Sequence, residues 1–327
     1  MTFNKYLLAI TSSAVIASPL YAATVYKTDT QEFNVGGRVE VRGVLSDGDY
    51  SDASRIRLNV DGKNKLNDNL TVFGRYEFEA DENTNADDDD LDISVRHLYV
   101  GADTQVGSFI YGHQVNAVTY LTDFTDQAET FSGYVNENTI TTADRAKNTL
   151  RYVYTANALT LQASATQNAN DNADGYGLMA AYKFSPELEL AAGVATSDQE
   201  YGNGTDTDDS TSYLLAAKYT KGSIYLSAMG MAGNISADGI EDSDFIAADA
   251  FAAYYFGANQ ENVVNASYSY YSADDIDALE TNFVGVEYAR YMGNFALFGS
   301  YKIALNNDTS SGNGRENELL VGARYGF

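Results

Sequence analysis

Apolar and polar side chains alternate along most of the chain with a period of two. The pattern is clearest over residues 33–42, 55–61 and 70–79, where aliphatic and aromatic residues share one face and charged residues share the other. A period of two with ionised residues on one face predicts a β-strand with one apolar and one water-facing side. The alternation continues and predicts further strands centred on residues 93–101, 107–113, 148–155, 159–166, 175–184, 188–196, 212–220, 223–231, 247–256, 262–271, 282–291, 295–305 and 317–327.

These segments amount to sixteen strands, and the connections between them alternate in length. Short turns, such as those at residues 67–68, 102–104 and 221–222, alternate with longer loops. An even number of antiparallel strands with this asymmetry is typical of a closed barrel in an outer membrane. Closure pairs every strand edge, which matters in lipid because unpaired backbone groups there have no water to bond. We therefore predict an all-β fold, a 16-stranded antiparallel transmembrane β-barrel.

A soluble β-sandwich is the alternative fold for a chain that alternates in this way. Its two sheets would enclose an apolar core and present polar faces to water. Here the polar face carries many charges together with Gly, Asn and Thr, which favours a water-filled lumen. No apolar run approaches the 18 residues that a membrane-spanning helix needs.

One connection, residues 114–146, is much longer than the others. It is a polar run of roughly thirty residues that follows a short aromatic strand at residues 106–113. Loops of this length without regular structure are uncommon in compact domains and are usually functional. We predict that this third long loop folds into the lumen of the barrel and narrows it.

The first 22 residues have the composition of a secretory signal peptide. Lys5 gives a weak positive start, an interrupted apolar stretch follows over residues 7–17, and residues 21–23 offer small side chains for cleavage. The remaining residues, 23–327, are predicted to form a single barrel domain, because no linker-like change of composition follows.

The chain is strongly acidic, with 46 Asp and Glu against 20 Lys and Arg and a formal net charge of −26. Most of the acidic residues lie in the predicted long loops, where Arg145 and Arg315 are the only basic residues. This acidity argues against a nucleic-acid partner, which would need a basic face. Cysteine is absent, so the sequence offers neither disulfides nor thiolate metal ligands.

Short motifs in the N-terminal half, together with the terminal Phe327, carry a resemblance to a known family. The motifs are Ala23-Thr24-Val25-Tyr26-Lys27, Val35-Gly36-Gly37-Arg38, Arg57-Leu58-Asn59-Val60-Asp61-Gly62, Leu66-Asn67-Asp68-Asn69-Leu70-Thr71, Gly74-Arg75-Tyr76-Glu77-Phe78, Arg96-His97-Leu98-Tyr99-Val100-Gly101 and Val106-Gly107-Ser108-Phe109-Ile110-Tyr111-Gly112. In these motifs the chain resembles the general diffusion porins of Gram-negative bacteria, a trimeric sixteen-stranded family. The resemblance covers most of the chain, although the second half matches by pattern more than by motif.

The resemblance implies a pore constriction in which basic wall residues face the acidic residues of an inward-folded third loop. On the loop, the positions that match are Asp123 and Glu129, the latter in preference to Asp126. The family's proline before the second acid is absent here. On the wall, the positions that match the family's row of basic residues are Arg38, Arg57, Arg96 and Arg145. Arg42 and Arg55 are possible additional lumen residues. The alternative for any of these arginines is structural pairing with a neighbouring glutamate, such as Glu40.

The resemblance further implies a water-filled channel for passive diffusion of ions and small hydrophilic solutes. The expected setting is the outer membrane, with a homotrimer in contact with membrane lipid and lipopolysaccharide. Opposed rows of charge across a narrow aqueous gap create a transverse field that orients solutes and sets ion preference. We expect weak cation selectivity, because the acidic mouth enriches cations before the constriction filters them.

The alternative function is a substrate-specific channel, or a surface-interaction protein that acts through its acidic outer loops. A sugar-selective channel would line its lumen with an aromatic slide. The tyrosines here mostly alternate onto the lipid face, although Phe73 points inward. The sequence therefore favours general diffusion.

Enzymatic activity is disfavoured, because the chain has only two histidines, His97 and His113. A hydrolase would need a histidine beside a nucleophile and an orienting partner, and alternation places His97 on the outward face. The acidic run at residues 87–90 lacks the spacing of a calcium motif and is interpreted as a solvated loop. We expect no catalytic residue, no metal site and no cofactor.

Overall fold

A computed structural model of the chain describes residues 22–82, 91–135, 144–167, 174–201, 206–237, 240–274, 280–305 and 316–327. Within these ranges there are eighteen strands and one helical turn, α1, at Thr119–Thr122. The strands are β1 Ala22–Lys27, β2 Gln31–Ser46, β3 Asp49–Asp52, β4 Arg55–Asn67, β5 Leu70–Glu82, β6 Leu91–Thr104, β7 Gly107–Val115, β8 Arg145–Ala156, β9 Leu159–Thr166, β10 Gly175–Lys183, β11 Leu188–Tyr201, β12 Asp206–Lys221, β13 Ile224–Ala237, β14 Ile240–Phe256, β15 Asn262–Ala273, β16 Thr281–Met292, β17 Phe295–Ala304 and β18 Glu318–Gly326.

Sixteen of these strands form a closed antiparallel wall. Every neighbouring pair from β4 to β18 is hydrogen-bonded in chain order, and β2 closes the circle by pairing with both β4 and β18. The two short strands, β1 and β3, pair with β2. This confirms the predicted all-β, sixteen-stranded barrel. No helix in the described ranges is long and apolar enough to cross a membrane.

The seam of the barrel joins the two ends of the chain along one edge of β2. Strand β18 pairs with β2 from Ser46 to Arg38, and β1 continues the same edge from Gly36 to Glu32. Between them, Gly37 and Phe327 exchange backbone hydrogen bonds of 2.9 and 3.0 Å. Phe327 therefore pairs with β2 at the point between β18 and β1, which extends the hydrogen bonding along this edge.

The outer face of the wall is apolar. Tyr176 and Leu178 on β10 and Tyr213 and Leu215 on β12 are all more than half exposed. Their alternate neighbours point inward, as the period of two requires. An outward apolar band is the arrangement that lipid stabilises.

The inner face differs between the two halves of the barrel. On β2 to β6 it carries arginines and glutamates, as the alternation pattern predicts. On β10 to β14 it carries alanine, methionine and other apolar residues that pack against the segment after β7. The alternation pattern alone did not distinguish an inner face that meets water from one that is covered by protein.

Several element boundaries differ from the prediction. Strand β6 runs to Thr104, so the turn expected at residues 102–104 lies at residues 105–106. Strands β12 and β14 begin about six residues earlier than their apolar patterns indicate. Backbone pairing does not require apolar side chains, so the hairpins extend beyond the apolar band.

Three predicted features lie wholly or largely outside the described residues. They are the signal peptide at residues 1–22, of which only the last residue is described, the acidic run at residues 87–90, and Arg315.

Candidate pore constriction

The segment after β7 follows the inner surface of the wall. At its base the Ala117 backbone N–H donates to Ser164 Oγ on β9 at 3.1 Å. Further along, Tyr225 on β13 donates to the Phe124 carbonyl at 2.7 Å, and the Val135 N–H donates to Asp249 on β14 at 3.3 Å. These partners lie on strands β9, β13 and β14, so the segment runs along the inner face of this part of the wall.

The helical turn α1 is held by a buried ion pair on the wall. Lys218 on β12 lies 3.3 Å from Glu189 on β11, and both side chains are almost fully buried. The Lys218 ammonium sits 4.0 Å from the centre of the Phe124 ring, and the Tyr120 hydroxyl donates to Glu189. A cation over a ring in a desolvated site contributes about 2 kcal/mol, so this cluster fixes one end of the segment.

The other end is clamped to the barrel seam through Glu129. Arg324 on β18 binds both carboxylate oxygens, with Nη2–Oε1 at 2.7 Å and Nε–Oε2 at 3.1 Å. Tyr291 on β16 donates to Oε1 at 3.0 Å, and Arg42 on β2 donates to the Glu129 carbonyl at 2.6 Å. A bidentate arginine–carboxylate pair fixes geometry as well as charge.

The wall opposite this segment carries rows of arginines with interleaved carboxylates. The register sets them side by side, since Arg38 pairs with Arg57 and Arg57 pairs with Glu79 across adjacent strands. Like charges this close are tolerated because the carboxylates lie between them. Glu40 is ion-paired with Arg38, Arg42 and Arg55. Glu79 is ion-paired with Arg55, Arg57 and Arg96. Glu77 is ion-paired with Arg75 and Arg96, and Asp61 is ion-paired with Arg75.

A cavity of about 580 Å³ lies between the arginine wall and the segment. All eight residues that the sequence analysis proposed for the constriction line this cavity. The charged residues at its surface are Arg38, Arg42, Arg55, Arg57, Arg96, Arg145 and Arg324, with Glu77, Asp123, Asp126, Glu129 and Asp144. The alternative expectation, structural pairing of Arg38 with Glu40, also holds, at 3.3 Å. Lining the lumen and pairing with a glutamate are thus compatible for one arginine.

The two loop acids chosen from the sequence have different environments. The Asp123 side chain is accessible from the cavity, although protein surrounds the carboxyl group closely. Glu129 is instead anchored, with its side chain 6% exposed and ion-paired to Arg324. Asp126, the alternative to Glu129 in the sequence analysis, is exposed and lines the cavity. At Gly133, with φ +74°, the returning chain passes close to the Asp126 side chain.

The exposed loop acids form a cluster with Asp144 that perturbs their ionisation. The pKa of Asp123 is raised to about 7, because the surrounding protein desolvates the carboxyl and the charges of Asp126 and Asp144 repel its own. The pKa of Asp126 is also raised, again chiefly by desolvation, although a hydrogen bond from Ser132 acts against the shift. Part of this acidic row is therefore close to its titration point near neutral pH.

The prediction that His97 points outward is wrong, and a β-bulge is the reason. The pairing of β5 with β6 shifts at this point, since Glu77 pairs with His97 while Phe78 pairs with Val95, which leaves Arg96 as the extra residue. A bulge reverses the phase of the alternation beyond it. Arg96 and His97 consequently both belong to the inner face, with Arg96 bound to Glu77 at 3.1 Å.

Three charged residues that line the cavity were given no role in the sequence analysis: Glu77, Asp144 and Arg324. Alternation along β18 sets Arg324 on the face opposite Ala323 and Tyr325, so the pattern could have placed it in the lumen. Asp144 precedes β8 and lies 3.4 Å from Arg145. Nothing in the local sequence distinguishes Asp144 from the other acidic loop residues.

Comparison with known proteins identifies the family. The model of the Gram-negative porin family matches residues 8–292. Outer membrane protein U of Vibrio parahaemolyticus is 31% identical, and the alignment covers 99% of this chain and 100% of that protein. Among solved structures, the Salmonella typhi OmpF complex with daunomycin aligns with a TM-score of 0.79 at 21% identity, covering 93% of this chain and 100% of that one. The trimer form of OmpT from Vibrio cholerae aligns with a TM-score of 0.71 at 18% identity, covering 91% and 100%.

The family model and the full-length relative agree with the closed barrel of this chain. This chain belongs to the Gram-negative porins, as an integral outer-membrane protein whose barrel forms a channel for diffusion.

Proposed function

We propose that the channel passes ions and small hydrophilic solutes without a dedicated binding step, and that it weakly prefers cations. The observation that carries the proposal is the cavity of about 580 Å³, bounded by arginines on one side and loop carboxylates on the other. Opposed charges across a water-filled gap impose a transverse field on whatever passes. The field orients dipolar solutes but offers no pocket shaped for one of them.

The constriction is proposed to consist of six wall arginines and two exposed loop acids. The acids are Asp123 and Asp126, and Glu129 is assigned the role of an anchor rather than of a facing charge. This assignment follows from the pairing of Glu129 with Arg324 and from the exposure of the other two carboxylates. The arginines are Arg38, Arg42, Arg55, Arg57, Arg96 and Arg145.

The proposed cation preference is weak because the charges at the constriction nearly cancel. Seven arginines and five carboxylates line the cavity in the described part of the chain. Two further carboxylates, Glu40 and Glu79, are ion-paired to these arginines. The sign is then set by the chain as a whole, whose formal net charge of −26 raises the local concentration of cations.

The working form is proposed to be a homotrimer embedded in outer-membrane lipid and lipopolysaccharide. The apolar outer face needs lipid or another subunit to cover it. The solved structure of OmpT from Vibrio cholerae is described as a trimer form, and it shares this fold.

The test is single-channel conductance and reversal potential of the purified protein in a planar bilayer under a gradient of KCl. Openings in three equal steps, a linear current–voltage relation and a modest cation-side reversal potential are expected. An anion-side reversal potential would refute the cation preference. Block of the current by one sugar at micromolar concentration would replace general diffusion by a substrate-specific channel.

A further inference from the structure

Arg151 on β8 differs from the other arginines of the lumen. Its neighbours in register are Ile110 on β7 and Ser164 on β9, whose buried side chains lie on the inner face. Among the described residues no carboxylate lies within 4.0 Å of its guanidinium, whereas every other inward-facing arginine has such a partner. Its Nε atom is also buried without a hydrogen-bond partner in the described structure.

A guanidinium without a carboxylate partner in a narrow lumen gains from any anion that reaches it. The reason is that a buried donor without a hydrogen-bond partner is unfavourable, and a charged acceptor relieves this most. Arg38, Arg42 and Arg75 also have a buried Nε atom without a hydrogen-bond partner, but each has a carboxylate within 4.0 Å. Arg151 is therefore the position on this wall where a passing anion gains most.

Aromatic side chains form the inner surface beside Arg151. Tyr99 on β6 lies edge-on to Phe73 on β5, with ring centres 6.5 Å apart. The Phe73 ring covers Gly101, and Gly112 leaves no side chain next to Tyr99 on the following strand. Gly101 and Gly112 add no side chain here, and the inward-facing Ile110 side chain lies in register between Gly101 and Arg151.

This surface is separate from the constriction. Arg145, which lines the constriction cavity, lies six residues away along β8 towards the long-loop end. Six residues of strand correspond to roughly 20 Å, and neither Arg151 nor Tyr99 lines the cavity. A solute that has passed the loop acids meets this surface on its way to the short-turn end.

The neighbouring charges restrict the ligand to a single negative charge. Arg75 lies in register with Tyr99, but Asp61 and Glu77 already bind it. Asp123 on the loop acts on Arg151 at longer range without forming an ion pair. Only one guanidinium is available, so a phosphate dianion would lack its second cation.

We propose that Arg151, Tyr99 and Phe73 form a weak binding site for small aromatic monocarboxylates on the short-turn side of the constriction. The carboxylate accepts hydrogen bonds from the Arg151 guanidinium, and the ring packs against Tyr99 and Phe73. The site rests on the proposed diffusion function, since it assigns one favoured class of solute to an otherwise general pore.

The experiment measures the block of KCl current in planar bilayers by benzoate added on the short-turn side at neutral pH. Acetate tests charge without a ring, and benzyl alcohol tests a ring without charge. Benzoate is expected to half-block the current at a concentration about tenfold lower than acetate or benzyl alcohol. The reason is that benzoate makes both a charge-assisted contact and an aromatic contact.

Three variants locate the site. Arg151→Gln is expected to raise the half-blocking benzoate concentration about tenfold, and Tyr99→Leu is expected to raise it about threefold, in line with the loss of a charged contact and of a ring contact. Arg290→Gln is the matched control, because Arg290 is an exposed arginine on β16, and it should leave the block unchanged.

The outcomes separate this site from the pore itself. Equal block by benzoate and acetate, or an unchanged block in Arg151→Gln, would overturn the site while the KCl conductance still supports the channel. Loss of aromatic discrimination in Tyr99→Leu alone would support the site even if Arg151→Gln failed to assemble. A protein that conducts no KCl at all would refute the proposed function instead.

Discussion

The clamp between Glu129 and Arg324 is expected to hold the loop against the barrel seam, and Arg324→Met tests it. The substitution keeps a side chain of similar length but removes both hydrogen bonds to the carboxylate. Glu129 would then remain in a site where its side chain is 6% exposed. A buried carboxylate that loses its cation is strongly disfavoured, so the loop should leave the wall more often.

The size of the effect follows from the contacts that are lost and those that remain. Two charge-assisted hydrogen bonds contribute about 1.5–3 kcal/mol each, and removing one partner of a buried ion pair costs about 3–5 kcal/mol. The Tyr291 hydroxyl still donates to Glu129, and Thr130 still donates to Ser300 at 2.7 Å. We therefore take the lower value, about 3 kcal/mol, which corresponds to about a hundredfold rise in the detached population.

The absence of cysteine from the chain provides a direct assay. Val135 lies at the end of the described loop and is 1% exposed, so a Val135→Cys thiol should react with a maleimide only when the loop detaches. When opening and closing are fast, the labelling rate follows the detached population. Arg324→Met should accelerate labelling about a hundredfold, and the exposed Arg290→Met should not change it.

A double variant isolates the ion pair from a general loss of packing. Glu129→Gln combined with Arg324→Met removes the uncompensated charge, so most of the acceleration should disappear. A labelling rate in Arg324→Met that equals that of the parent would refute the clamp. Equal rates in the single and double variants would show that packing, rather than charge, holds the loop.

Three further predictions concern the loop and its supports. The reversal potential should become less cation-favouring as pH falls from 8 to 6, because Asp123, whose pKa is raised to about 7, takes up a proton; Asp123→Asn should abolish that step, and a step that persists would contradict it. Gly133→Ala should alter conductance, because residue 133 has φ +74° and an added Cβ would lie 2.5 Å from the Asp126 side chain. The control is Gly222→Ala, since residue 222 has φ +59° but no atom within 4 Å of an added Cβ; it should cost only about 1–2 kcal/mol of backbone strain and leave conductance unchanged. Lys218→Met should lower the free energy of unfolding by about 3 kcal/mol, because Glu189 loses its cation. Adding Glu189→Gln to Lys218→Met should restore most of this loss in thermal unfolding, and a double variant as unstable as the single one would count against the ion pair.

The alternation pattern predicted the wall because it reports a local property. Each side chain of a membrane strand meets either lipid or the lumen, and the chain alternates accordingly. Arg38 and Arg57 could thus be placed inside without knowledge of their neighbours. The same rule failed at His97, because a single extra residue, Arg96, reverses the phase. Local sequence gave no sign of that bulge.

The acidic side of the constriction was less accessible to prediction. The family resemblance assigned Asp123 and Glu129 the same role, as loop acids that face the basic wall, with Glu129 preferred to Asp126. Their difference arises from a pairing between residues 195 positions apart, because Arg324 captures Glu129 only when β18 closes against β2. Charge pairing of this kind depends on strand register and on the path of the loop.

The sequence by itself thus determined the sixteen strands of the wall, most of their inward and outward faces and the acidity of the chain. These follow from the period of the backbone and from the contrast between lipid and water, which act residue by residue. Only the tertiary structure decided which charges neutralise one another, which face the lumen and which arginine has no partner. Those outcomes depend on distances between side chains from different strands, which closure of the barrel sets.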